Sequence, residues 1–184
     1  MRNIRSSEPC VVKDPFLLPA LSNLVDMECN SLIIFTHKNP LSLGLSFMFR
    51  RQQESIFELL SPTQHPNYFD YFKSLDWDLD PYPIYLRNAI HLSLASLYYS
   101  SFYSSIGLSV FDIHDFSFIA DLTESLGLIS DSFGLALPSP SYRQRIFSSF
   151  TSARSLKDLS QFYTADIINS VSAKFSAIRG QLYS

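Results

Sequence analysis

Along most of this 184-residue chain the apolar positions recur at intervals of three and four, the spacing that places them on one face of a helix. Residues 1 to 14 lack that rhythm and read as an irregular arm, with Val11 and Val12 the only strand-like pair. From Asp14-Pro15 onward Phe16, Leu17, Leu21, Leu24 and Val25 predict a helix capped by Asp14 and fading near Met27. Ser31 to His37, SLIIFTH, is β-branched and aromatic and predicts a strand. The next segment fits two templates. Leu41, Leu43, Leu45, Phe47 and Phe49 alternate as a hairpin partner would, while Asn39-Pro40 is a proper helix start and Leu41, Leu45, Met48, Ile56 and Leu60 share one helical face. We take the helix, with Arg51 to Leu60 helical on either template. After Pro66, Tyr68, Phe69, Phe72 and Leu75 share the face of a short helix, and DWDLDPYP from Asp76 to Pro83 must be a loop.

The long segment from Pro83 to Phe111 dominates the pattern. As a helix it carries three faces: a stripe of Leu86, Ile90, Leu94 and Leu97; a strip of small residues, Ala89, Ser93, Ser96, Ser100 and Ser104; and an arc of His91, Tyr98, Tyr99, Phe102 and Tyr103. A helix apolar or small nearly all round is a buried central helix. The rival is a membrane span, because Asn88 to Phe111 carries no formal charge and is long enough to cross about 30 Å of hydrocarbon. Its serines and tyrosines, with His91 and Asn88, are too polar for that, so a core helix fading near Gly107 is expected. The small strip invites close approach of another helix, taken as Asp115 to Leu126, and the aromatic arc is left for a partner.

Asp112, with Asp115 three residues on, reads as the cap of a helix carrying Phe116, Ile119, Leu122 and Leu126 and closed by Gly127. Ser132 to Pro140 reads as a hinge. Beyond it Tyr142, Ile146, Phe150 and Ala153 make one helix; Ser155 with Asp158 opens the last, in which Leu159, Tyr163, Ile167, Val171, Phe175 and Ile178 form a wide stripe that should dock on the core. The fold class is therefore mainly α: six or seven helices around one long central helix, with at most a small N-terminal β-hairpin. Residues 1–137 form the helical core with an acidic middle, and 138–184 a basic helical pair packed on it.

Charge sharpens that division. The net charge of −3 hides eleven acids against Lys73 and Arg87 over residues 54–137, then Arg143, Arg145, Arg154, Lys157, Lys174 and Arg179 against Asp158 and Asp166 over 138–184. Cys10 and Cys29 cannot supply a disulfide framework or a cysteine zinc site. No Asn-x-Ser/Thr sequon occurs, and Glu8, Lys13 and Asp14 break any signal-type apolar run, so an intracellular or organellar setting is expected over secretion. Abundant Phe, Ser, Leu, Tyr and Pro beside scarce Lys, Ala and Gly fits the pyrimidine-rich codons of a biased organellar genome, such as a mitochondrial one, or a viral genome.

Motifs for chemistry are sparse. The five glycines stand at least seven residues apart, which excludes a phosphate-cradling loop, and there is no Gly-x-Ser-x-Gly elbow. Asp76, Asp78 and Asp80 are the one metal-like cluster, but an EF-hand would need glycine at Pro81 and glutamate at Arg87, so a solvated acidic turn is expected. His37, His65, His91 and His114 show no metal spacing; the side chains of Asp112, His114 and Asp115 should diverge at a helix start, and His91 reads as a hydrogen-bonded core histidine. These residues point to a non-enzymatic structural or protein–protein interaction subunit of a larger organellar or viral assembly, with no cofactor. Its partner contacts would be Tyr98, Tyr99, Phe102, Tyr103, Arg143 and Arg145. The alternatives are an RNA-binding accessory protein using the basic C-terminal helices and a divalent-metal enzyme at Asp76, Asp78 and Asp80; peripheral rather than spanning contact is the membrane option.

Overall fold

The computed structural model describes residues 31–50, 60–114, 118–137, 139–142, 144–145 and 159–183. The helices expected at 14–27, 51–60 and 142–153, the capping box at Ser155 and Asp158, and Arg143 and Arg154 lie largely or wholly outside them. Among the described residues the protein is mainly helical with one two-stranded sheet: β1 (Ile33–His37), α1 (Pro40–Arg50), α2 (Pro66–Ser74), α3 (Ile84–Ser105), β2 (Val110–His114), α4 (Phe118–Phe133), a 3-10 turn (Leu159–Gln161) and α5 (Ala165–Leu182).

The two templates for 41–49 resolve in favour of α1, and the cap decides it. The Asn39 side chain accepts from the Leu41 backbone N–H at 2.9 Å and the Asn39 carbonyl from Leu43 N–H at 3.0 Å, with Pro40 opening the helix. Leu41, Gly44 and Leu45 are then buried together at helical spacing. Among the described residues no strand follows β1 as a hairpin partner. β1 instead pairs in parallel with β2, Ile33 opposite Val110 through His37 opposite His114, and the connection contains α1, α2 and α3, since parallel strands need a long crossover.

α3 is the buried centre. Leu86, Ala89, Ile90, Ser93, Leu94, Leu97, Tyr99, Ser100 and Tyr103 are all enclosed, and the helix is closed by Gly107 at φ 88°, with Leu108 N–H donating to the Tyr103 carbonyl at 3.1 Å. No helix among the described residues is long and apolar enough to cross a membrane. The neighbour of its small strip differs from the expected helix: Ala89 packs beside Phe47 of α1, while Ser96 and Ser100 meet the β1–β2 ribbon. The expected Asp112 cap is overturned for the same reason, because Asp112 lies inside β2. α4 packs on β2, passes through Gly127 and stops at Gly134, whose φ of 63° supplies the left-handed turn. A glycine weakens a helix by about 1 kcal/mol but does not end it without that turn.

The last helix also starts later than its capping-box reading. Thr164 is the cap, its hydroxyl accepting from Ile167 N–H at 3.4 Å. α5 runs alongside α3: Tyr82 and Ser170 hydroxyls meet at 2.9 Å near its start, and Ser101 donates to the Leu182 carbonyl at 3.0 Å near its end. Tyr163, Val171 and Ile178 join the same core cluster as Leu86, Ile90 and Leu94. The Tyr163 hydroxyl donates to the Leu41 carbonyl at 3.1 Å, passing over Gly44, where a Cβ would lie 2.7 Å from that oxygen.

Candidate functional site

The parallel register places Phe35 opposite Asp112 and His37 opposite His114, on the ribbon face turned toward α3. His37 and Asp112 are therefore held beside the hydroxyls that α3 presents one turn apart, Ser96 and Ser100. His37 Nε2 lies 2.6 Å from Asp112 Oδ1, and Ser100 donates to the same oxygen at 2.6 Å. Because a carboxylate only accepts, Nε2 carries a proton, and in the neutral ring Nδ1 is then the acceptor. Ser96 lies 3.1 Å from Nδ1 and donates to it in that form of the ring. Tyr183, just past α5, brings its hydroxyl to 3.4 Å from Nε2, and the His114 ring stacks on His37 at 4.9 Å. Residues from β1, β2, α3 and the end of α5 thus converge at the carboxyl ends of two parallel strands.

The cluster is nearly dry: His37 is 5% exposed and the Asp112 side chain 19%. For Asp112, burial opposes the charged form, but hydrogen bonds from His37 and Ser100, attraction to His37 and a further bond from Tyr183 outweigh it and hold the carboxyl below its ordinary range. The Tyr183 hydroxyl is pushed up, chiefly by burial, and stays protonated. A serine hydroxyl, an imidazole with a free acceptor nitrogen and a carboxylate fixing its tautomer can together pass a proton from serine to ring. Sequence reasoning missed this set. It expected the side chains of Asp112 and His114 to diverge at a helix start, whereas on a strand residues two apart share a face. His37 and Asp112 are 75 positions apart, so no local spacing links them.

The aromatic arc of α3 meets α2. Tyr68 donates its hydroxyl to the His91 carbonyl at 2.9 Å and accepts from His91 Nδ1 at 3.0 Å; His65 Nδ1 and the Tyr99 hydroxyl lie 2.7 Å apart. Burial lowers the His91 pKa to about 4, so the ring is neutral at physiological pH, consistent with the core-histidine reading. Of the four aromatic residues expected at a partner contact, Tyr99 and Tyr103 are buried within the chain, while Tyr98 and Phe102 are half-buried. Tyr71 of α2 stacks on Tyr98 at 5.1 Å, and Tyr98 on Phe102 at 6.2 Å with rings 6° from parallel, making a ladder of three half-buried rings.

Asp76, Asp78 and Asp80 alternate with buried Trp77 and Leu79, so the loop is pinned by its apolar residues and its acids point outward. Asp78 accepts from Asp80 N–H at 2.9 Å and Asp80 meets Arg87 at 3.2 Å. Among the described residues no three His, Cys, Asp or Glu side chains are placed to hold a metal ion. Arg145 is exposed and lies over the Tyr142 ring at 5.7 Å.

Fold and site define a mainly helical protein whose buried central helix is tied by polar side chains to a short parallel ribbon. No family model matches this chain, and no curated protein or solved structure matches it either.

Proposed function

We propose that the protein is an accessory subunit that works by contact with a partner protein, through the Tyr71–Tyr98–Phe102 ladder. The ladder is the observation that carries the reading. Three large rings, already stacked and anchored from two helices, offer contact area with little conformational freedom left to lose, which is what interface anchors supply. Asp70 beside Tyr71 pairs with Lys73 at 3.3 Å, and the exposed Asp76 and Asp78 just beyond α2 leave the neighbouring surface net acidic. The matching partner face carries apolar side chains rimmed by Arg or Lys.

The test is retention of a partner by the tagged full chain from its native source, followed by native mass measurement. The wild type should hold a stoichiometric protein partner. Phe102→Glu should lower retention at least tenfold, and Asp76→Lys with Asp78→Lys should lower it in a salt-dependent way, with the far-ultraviolet circular dichroism unchanged. A monodisperse monomer without a stable partner, or a partner retained equally by the variants, would overturn the reading.

A further inference from the structure

We propose that Ser96 is a nucleophile activated by His37 and positioned by Asp112, able to take an acyl group from a carboxylic ester. This goes beyond a contact function and rests on different residues. Three requirements of an activated serine meet at one place. The hydroxyl is hydrogen-bonded to its base, Ser96 Oγ to His37 Nδ1, at 3.1 Å. The base is fixed on its far side by a carboxylate, His37 Nε2 to Asp112 Oδ1, at 2.6 Å. That carboxylate is held in turn by Ser100 at 2.6 Å. The two ring nitrogens have exchanged the duties they have in the serine-protease triad, yet the logic is unchanged, because the bond at one nitrogen sets the basicity of the other. Ser96 is half-buried, while His37 is almost closed to water.

In the reaction Ser96 Oγ bonds to the carbonyl carbon and its proton passes to His37 Nδ1. The bond from that carbon to the ester oxygen breaks, and the leaving alcohol takes the proton from Nδ1. Water then attacks the acyl-serine, giving its proton to Nδ1; the carboxylic acid leaves and Ser96 recovers a proton. Ester plus water gives acid plus alcohol. Asp112 stays ionised and opposite the imidazolium that forms transiently.

The full chain would be treated with an alkyl fluorophosphonate, which loses fluoride on bonding to an activated serine, and the modified site found by peptide mass spectrometry. Folded wild type should be labelled at Ser96 at least tenfold faster than urea-unfolded wild type, and Ser96→Ala should lose that label. Asp112→Asn, which keeps the shape but no longer fixes the tautomer, should slow labelling at least tenfold; Ser100→Ala, a milder change beside the same carboxylate, should slow it less. Where Asp112→Asn is unfolded by circular dichroism, the folded-to-unfolded ratio and Ser96→Ala decide the matter. No labelling of the folded chain, labelling at another residue, or equal rates in folded and unfolded protein would overturn the proposal.

Discussion

Gly44 provides the sharpest test of how this core is packed. A methyl group added there would sit 2.7 Å from the Tyr163 hydroxyl oxygen and 3.3 Å from Leu86 Cδ1. On an exposed helix Gly→Ala stabilises by about 1 kcal/mol. Here the ring must move, and Tyr163 is 4% exposed with its hydroxyl bonded to the Leu41 carbonyl, so it has nowhere to swing. Losing that bond and leaving a buried hydroxyl unsatisfied costs about 1–3 kcal/mol, and the overpacking a further 1–3 kcal/mol in round terms. Subtracting the propensity gain of about 1 kcal/mol leaves Gly44→Ala destabilising by about 1–5 kcal/mol, centred near 3. Tyr163→Phe alone should cost about 1 kcal/mol, because the Leu41 carbonyl keeps its place in the helix. In the Phe background the methyl group enters the space the oxygen vacated, so Gly44→Ala should become neutral or slightly stabilising. The expected coupling is about 3 kcal/mol in favour of the double variant. Urea unfolding followed by the fluorescence of Trp77, the single tryptophan and a buried one, reads all four proteins. Additive costs, within about 0.5 kcal/mol, would refute this account of the α1–α3–Tyr163 contact.

The remaining predictions concern single groups. His91 has a folded pKa near 4 against an ordinary 6.5, so the unfolded chain binds more protons between those values: its contribution is fully present above about pH 6.5 and is lost as pH falls toward 4, about 3 kcal/mol in all. Denaturation at pH 7 and pH 4.5 should show this loss in wild type and a much smaller one in His91→Leu. Asp112→Asn should destabilise by about 2–4 kcal/mol at pH 7, as expected when one partner of a buried pair is neutralised, and the gap to wild type should close as pH falls through the depressed folded pKa of Asp112. Thr164→Ala should cost about 0.5–1 kcal/mol, read by urea unfolding, through loss of a rather long cap bond. Gly134→Ala should cost about 1 kcal/mol, because an L-residue is strained at φ 63°, whereas Gly127→Ala, in open space within a helix, should stabilise by up to about 1 kcal/mol.

The elements that were legible in the chain are those whose signal is local. Asn39-Pro40, Pro66 and Pro83 mark helix starts by what their rings and side chains can do, and α3 is readable because 22 residues pass without a breaker. β2 escaped for a physical reason. Val110, Asp112 and His114 face α3, while Phe111 and Ile113 lie on the other side, where Ile113 is also buried, so the strand puts polar residues toward the central helix and shows no apolar-in, polar-out alternation. Asp112 near Asp115 then imitates a helix cap. The pairing with β1 spans 77 positions and three described helices, and nothing in either segment encodes it. The candidate site inherits that blindness, because its base and its carboxylate come one from each strand. The ladder was half visible: Tyr98 and Phe102 stand out on α3, but Tyr71 looks like one more aromatic of α2.

The serine strip of α3 shows how one pattern supports both readings of the cluster. As a row of small side chains it suggested helix contact, yet along its length the neighbours change. Ala89 serves α1, buried Ser93 finds no partner among the described residues, Ser96 and Ser100 bond to His37 and Asp112, and Ser104 is exposed. Two five-residue strands have little to fix their register, and a slip of one residue would turn Thr36 or Ile113 toward those hydroxyls. A buried carboxylate hydrogen-bonded to an imidazole is seldom the most stable filling for such a space, since apolar residues of like volume avoid its desolvation cost. Its use is specificity, as only the observed register bonds both serines, the imidazole and the carboxylate at once. That same register holds a serine against the free nitrogen of a tautomer-fixed histidine, so structural order and chemical reactivity arise from one arrangement. They separate in Ser96→Ala, which removes the nucleophile but leaves the His37–Asp112–Ser100 bonds that hold the ribbon, and should abolish labelling with a stability loss of no more than about 1–1.5 kcal/mol.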